Sequence, residues 1–199
     1  MSLYPAADFL TSAAQSGQFP DDHGAEVAFA GRSNSGKSSA INAILARRGL
    51  ARSSKTPGRT RLLNFFLLAP ERRIVDLPGY GYATASAAER ATWAPMIDAL
   101  ARRASLRGLF LVIDSRRGVM EGDWGLLEWA EAARLPVHVL LSKSDKLKRA
   151  EARAALKDAL AALQTRAGVQ LFSVEDEAGL KAARAKLDQW LSQPATQPE

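Results

Sequence analysis

The 199-residue chain contains no cysteine, which excludes a disulfide framework and any thiolate metal centre and removes the usual signal for an oxidising compartment. Long apolar runs are missing too: stretches such as Leu62–Leu68 fall far short of the roughly 20 residues that cross a bilayer. Met1 to Gly24 holds no basic segment followed by an apolar one. No targeting leader and no membrane partner are therefore expected, and a cytoplasmic, monomeric protein is the plain expectation. Acidic residues are absent from Gly31 to Pro70, where eight Lys or Arg stand. Arg47, Arg48, Arg52 and Lys55 lie outside the phosphate motif described below. They are either a surface that meets RNA or a solvated basic face.

What is present reads as one α/β unit, since the length suits a single core better than two. Apolar runs of strand length predict strands at Glu26–Ala30, Leu62–Leu68, Arg73–Asp76, Gly108–Asp114, Val137–Ser142 and Val169–Ser173. They alternate with helical periods at Lys37–Arg48, Ser86–Arg103, Trp124–Ala133, Arg149–Arg166 and Gly179–Leu191. That alternation predicts a mostly parallel six-stranded sheet with helices on both faces. Pro95 is expected to kink or delay the second helix. The expected division is an extension at 1–24, the main domain at 25–192 and a flexible tail at 193–199.

Gly31-Arg32-Ser33-Asn34-Ser35-Gly36-Lys37-Ser38 fits G-x-x-x-x-G-K-[ST] between a strand and a helix, the setting of a phosphate-binding loop. Its glycines let the backbone approach phosphate oxygens, while the amides and the helix N-terminus supply positive potential. Lys37 is placed to reach the β- and γ-phosphates and Ser38 to ligate Mg²⁺. Asp76-Leu77-Pro78-Gly79 closes another strand, as a magnesium-side carboxylate and a glycine amide facing the γ-phosphate would. A strand running into a carboxylate puts Asp76 beside the loop at the sheet's C-terminal edge.

Ser142-Lys143-Ser144-Asp145 ends a further strand with a Lys-x-Asp pair. An aspartate there accepts from guanine N1–H and N2–H₂ together, and adenine would leave it desolvated and unpaired. The alternative is a strand end followed by a helix cap, with Ser144 or Asp145 serving the helix at Arg149. Backbone amides in Phe172-Ser173-Val174 are candidates to meet the base's O6, against the alternative of an ordinary strand terminus. The fold expected from the three motifs is that of a P-loop NTPase with a Ras-like G domain, binding GTP or GDP with Mg²⁺.

The chain resembles the EngB (YihA/YsxC) family of ribosome-assembly GTPases, within the TrmE–Era–EngA–EngB–Septin-like group. The resemblance is carried by Glu26 to Ser39, by Lys55-Thr56-Pro57-Gly58-Arg59-Thr60-Arg61, by Asn64-Phe65-Phe66, and by Asp76-Leu77-Pro78-Gly79-Tyr80-Gly81-Tyr82. By position it makes Thr60 the switch threonine that ligates Mg²⁺, within a mobile loop Gly58, Arg59, Thr60, Arg61, Leu62; Thr56 is its competitor by sequence alone. Departures are Ser142, where Thr is usual, and Val174, where Ser or Ala is common. The family resemblance implies a role in late assembly of the large ribosomal subunit, and through it in cell growth, division and septation.

Tyr80 stands where Ras-like enzymes carry the glutamine that orients water, so slow intrinsic hydrolysis is expected until a partner completes the site. Asn34 either holds K⁺ against the phosphates, as in similar GTPases, or merely caps the loop. Lys37, Thr60 and Asn34 are thus the catalytic candidates, and Ser38, Thr60 and Asp76 the metal ligands. Tyr80 and Tyr82 are read as side chains of which one faces a partner. Two other functions stay open: an ATP-using P-loop enzyme, and a basic RNA- or ribosome-binding factor in which nucleotide is mainly structural.

Overall fold

The computed structural model describes residues 4–52, 62–80 and 95–193. Seven strands form one sheet: β1 (Asp8–Ala13), β2 (Ala25–Gly31), β3 (Leu63–Ala69), β4 (Arg72–Asp76), β5 (Leu106–Asp114), β6 (Val137–Ser142) and β7 (Gly168–Leu171). Their spatial order is β1-β3-β4-β2-β5-β6-β7. β4, β2, β5, β6 and β7 run parallel, whereas β3 is antiparallel to both β4 and β1.

The count corrects the expected six. The added strand, β1, is an edge exposed from Asp8 to Leu10, half-buried at Thr11 and Ser12 and buried only at Ala13, so it carries no buried-strand signal. It pairs Asp8 with Leu67 and Ala13 with Leu63, with an irregularity between Phe9 and Thr11.

Among the described residues, five α-helical segments cover the sheet: α1 (Lys37–Ile44), α2 (residues 95–101), α3 (Glu121–Ala132), α4 (Arg149–Leu163) and α5 (Glu177–Leu191). The expected start of the second helix at Ser86 lies outside the described residues. Alternation along the strands splits the core in two. On β2, Ala28 and Ala30 face one layer with Leu100, Leu126, Leu127 and Leu163 from α2, α3 and α4. Val27 and Phe29 face the other, with Ile41, Ile44, Leu187 and Trp190 from α1 and α5. Helices on both faces explain why the parallel strands are almost continuously apolar.

α5 lies close because β5 carries a glycine beneath it: a Cβ at Gly108 would fall 2.5 Å from the Trp190 ring. Trp190 also meets Phe110 edge-on at 4.9 Å between centroids.

Opposite the strand ends that carry the motifs, a buried ionic cluster ties β2, β4 and the segment leading into β5 to the loop before β2. Glu26, fully buried, accepts from Arg73 Nε at 2.8 Å and from Arg103 Nε and Nη2 at 2.7 and 2.8 Å. Arg73 also donates to the carbonyls of Asp21 and His23. Asp22 accepts from the Ser105 hydroxyl at 2.6 Å and from the amides of Ala104 and Ser105, both at 2.9 Å.

Candidate functional site

The expected phosphate loop leaves β2 at Gly31 and enters α1 at Lys37. Space and conformation both fix its glycines. A Cβ at Gly31 would fall 2.6 Å from Ser35 Oγ and 2.7 Å from the Val112 carbonyl, while Gly36 sits at φ +94°. Asn34 adopts φ 64°, the left-handed region that Asn tolerates best among non-glycine residues. The loop closes on itself through Ser35 N–H to Arg32 O at 3.0 Å.

Among the described residues no acceptor meets the amides of Asn34, Gly36, Lys37 or Ser38, and the buried Ser35 hydroxyl has no partner. Unpaired N–H groups around a helix start form an anion cradle. The residues present therefore fit a phosphate chain.

Asp76, at the end of β4, pairs with the Lys37 ammonium. Burial pushes its carboxyl above the usual range, and the Lys37 charge opposes that shift. Ser38 lies in the first turn of α1. A hydroxyl and a carboxylate oxygen are the hard donors that magnesium takes. Among the described residues no three carboxylates or histidines gather into a metal cluster, so an ion held by Ser38 and Asp76 would have positions open to phosphate, to water and to residues outside those described.

Leu77 donates its amide to Phe29 O at 2.9 Å, continuing the β4–β2 pairing. Beyond Pro78, Gly79 approaches Ser33, the nearest atoms lying 3.4 Å from a would-be Cβ. Tyr80 then pairs with the loop itself, donating N–H to Gly31 O at 3.3 Å and accepting from Ser33 N–H at 2.9 Å. Its side chain turns inward, packing on the core and donating its hydroxyl to the buried Asp123 at 2.6 Å. Burial, followed by the Asp123 carboxylate, pushes the phenol far above its usual range. The expected partner-facing tyrosine is thus not Tyr80; Tyr82, like Gly58, Arg59, Thr60, Arg61 and Thr56, lies outside the described residues. Leu62 stands half-buried just before β3.

On the base side, Ser142 ends β6 in register with Asp114 at the end of β5. The Ser142 hydroxyl lies 2.5 Å from the Ser35 carbonyl and 3.1 Å from that of Ile113, so its one proton serves the loop. Lys143, at φ 58°, sends its ammonium to Asn34 O at 2.6 Å and to Asp114 Oδ2 at 2.9 Å. Ser144 and Asp145 occupy a short 3-10 turn, Ser144–Lys146.

Neither caps α4, whose N-cap is Lys148; the capping alternative is removed. Asp145 instead accepts from Ser173 Oγ at 2.8 Å and pairs with Lys146 at 2.7 Å. The hydrogen bond from Lys146, then that from Ser173, holds its carboxyl below the usual range. β7 ends at Leu171 rather than Ser173. Phe172 accepts from Ser144 N–H at 3.2 Å and buries its ring beside α5, while Val174 is exposed.

Sequence reasoning overlooked two carboxylates. Asp114 takes Lys143 together with Arg116 Nε and Nη2 at 2.9 and 2.6 Å. The Arg116 hydrogen bonds, and after them Lys143 against the cost of burial, hold it far below the usual carboxylate range. Its signal was available, since Asp114 ends an apolar strand at the same sheet edge as Asp76. Asp123, second of the two, sits inside α3 and left no such mark.

With the geometry in hand, likeness to known proteins is specific. The profile of the family described as 50S ribosome-binding GTPase matches residues 26–143. The "Probable GTP-binding protein EngB" of Nitrosococcus oceani is 52% identical over 194 residues, covering 96% of this chain and 97% of that protein. The protein of the same description from Hydrogenovibrio crunogenus is 46% identical over 205 residues, with 98% and 97% covered. Among solved structures, a probable GTP-binding protein engB aligns with TM-score 0.63 at 21% identity, over 84% of this chain and 98% of that one. Era in complex with MgGDPNP and a segment of 16S ribosomal RNA aligns with TM-score 0.63 at 20% identity, over 90% and 60%. These two structural likenesses speak for the fold.

Proposed function

The chain belongs to the EngB family of GTP-binding GTPases, and from that premise we propose that it is a guanine-nucleotide switch, slow on its own, that acts in assembly of the large ribosomal subunit. The observation that best supports the reading is the tie between its two halves. Lys143 of the base-side loop donates to Asn34 of the phosphate loop at 2.6 Å, and Ser142 reaches Ser35 beside it. A Lys-x-Asp segment that merely ended a strand would have no cause to grip the loop that takes phosphate.

In this reading Lys37 leaves Asp76 for the β- and γ-phosphates when nucleotide enters, and the amides of Asn34 to Ser38 hold the phosphate oxygens. Asp145 accepts from guanine N1–H and N2–H₂, Lys143 lies along the base, and amides near Ser173 and Val174 approach O6. Ser38, Asp76 and, by family resemblance, Thr60 would hold Mg²⁺, whose charge would offset that of the phosphates. K⁺ beside Asn34 is the further ion the reading admits, and the Asn34 side chain meets no partner among the described residues.

Hydrolysis is slow in this scheme because the residue after Gly79 is an inward-facing tyrosine, engaged with Asp123, which leaves no side chain there to orient water. A partner supplies what is missing. Exposed Arg48 and Arg52, for which the described residues offer no ion pair, favour an RNA-rich partner over a neutral one. The large ribosomal subunit or its precursor fits that chemistry, in the cytoplasm, with any effect on division following from ribosome supply. No helix among the described residues is long and apolar enough to cross a membrane.

The test is cosedimentation with purified large subunits, loaded with GDP or with a non-hydrolysable GTP analogue, across a salt series. Pelleting in one nucleotide state, weakening steeply as salt rises, is the expected result. Equal pelleting in both states would defeat the switch, and none in either would defeat the ribosomal role.

A further inference from the structure

Lys143 is a flexible side chain, yet here it is fixed at both sides of its ammonium. One anchor is a neutral carbonyl, Asn34 O at 2.6 Å; the other is a charge, Asp114 Oδ2 at 2.9 Å. Asp114 is itself rigid. It ends β5 in register with Ser142 and is 7% exposed. Its carbonyl accepts from the amides of Arg117 and Gly118 at 2.9 and 3.2 Å. Arg116 closes on its carboxylate from the solvent side through Nε, Nη2 and the backbone amide. Such a carboxylate stays ionised and stays in place.

The lysine, by contrast, pays for its position, because a non-glycine residue at positive φ is held there only by surrounding contacts. Two residues further on stands Asp145, whose orientation depends on the same turn.

We propose that Asp114 is a positioning residue for guanine-nucleotide binding: its carboxylate holds the Lys143 ammonium against the Asn34 carbonyl, locking base-side loop and phosphate loop into one preorganised unit. It touches neither phosphate nor base. This rests on the guanine reading of Lys143 and Asp145 given above, and adds to it a residue outside every motif that carried that reading. Preorganisation matters here because a site that must order its loops on binding loses affinity to that ordering.

The test is calorimetric titration of GDP into the full-length wild type, Asp114→Asn, Asp114→Glu, Lys143→Ala and the double variant Asp114→Asn/Lys143→Ala, with ADP titrated into the wild type. Asn keeps the shape of Asp114 and can still accept from Arg116. Losing one charge-assisted hydrogen bond predicts GDP affinity about tenfold weaker in Asp114→Asn. Glu restores the charge and should recover most of that loss, so the proposal remains testable even if the Asn variant folds poorly. The double variant should bind no worse than Lys143→Ala alone, because both changes act through one ammonium.

A merely structural Asp114 would give losses that multiply in the double variant, and no recovery with Glu. Either of those results, or wild-type GDP binding in Asp114→Asn, overturns the proposal. Equal affinity for GDP and ADP in the wild type is a different failure: it removes the guanine reading, and with it the role assigned to Asp114.

Discussion

Asp145→Asn is expected to lower GTP affinity by roughly 10² to 10⁴ and to transfer preference to xanthosine triphosphate. The range follows from two hydrogen bonds from guanine to one carboxylate, each about 1.5–3 kcal/mol when a charged group accepts. That carboxylate is available in the required form. Lys146 and Ser173 hold it ionised, and it does not serve as a cap for α4. Asparagine offers an N–H₂ where the carboxylate had an acceptor, so it repels the guanine amino group and matches the carbonyl that xanthine carries instead. Competition binding with GTP, XTP and ATP reads the exchange. Unchanged GTP affinity in the variant would remove Asp145 from the base site.

The second large effect lies at the far end of the sheet. Glu26→Ala should destabilise the chain by about 3–5 kcal/mol, the cost of stripping one partner from a buried ion pair. Glu26 is fully buried and answers Arg73 directly, with Arg103 sharing both its oxygens. Without it, the Arg73 guanidinium keeps only the Asp21 and His23 carbonyls and remains charged away from water. In a domain of this size the loss corresponds to a melting midpoint roughly 10 °C lower. Urea denaturation of the nucleotide-free chain measures it, and a change under about 1 kcal/mol would mean that water reaches the cluster and screens it. The cluster stands opposite the motif-bearing strand ends, so whatever fraction remains folded should bind GDP as the wild type does.

Parallel central strands were legible because both faces of the sheet are covered, which makes β2, β5 and β6 near-continuous apolar runs. Motifs placed at the ends of those strands inherit the same clarity, and so Gly31 to Ser38, Asp76 and Lys143 to Asp145 gather at one edge as their order suggested. β1 was not legible: an edge strand with Phe9 and Leu10 exposed has neither a buried face nor strict alternation to report.

Helix ends were overrun for a different reason. α1 stops at Ile44 and α4 at Leu163, short of the expected Arg48 and Arg166, because Ala46 and Gln164 take positive φ without the glycine that usually marks such a stop. Asp114 belongs to no motif of its own. Its importance comes from Lys143, 29 residues further along, and so depends on the pairing of β5 with β6.

The most direct measurement is calorimetric titration of the purified wild-type chain, in magnesium buffer, with GDP and with ADP. GDP is expected to bind with measurable heat and ADP at least about a hundredfold more weakly, because guanine brings the Asp145 carboxylate two N–H donors that adenine does not offer. Equal affinities, or no heat with either nucleotide, would contradict the assignment of Gly31 to Ser38 and Lys143 to Asp145 as one guanine-nucleotide site.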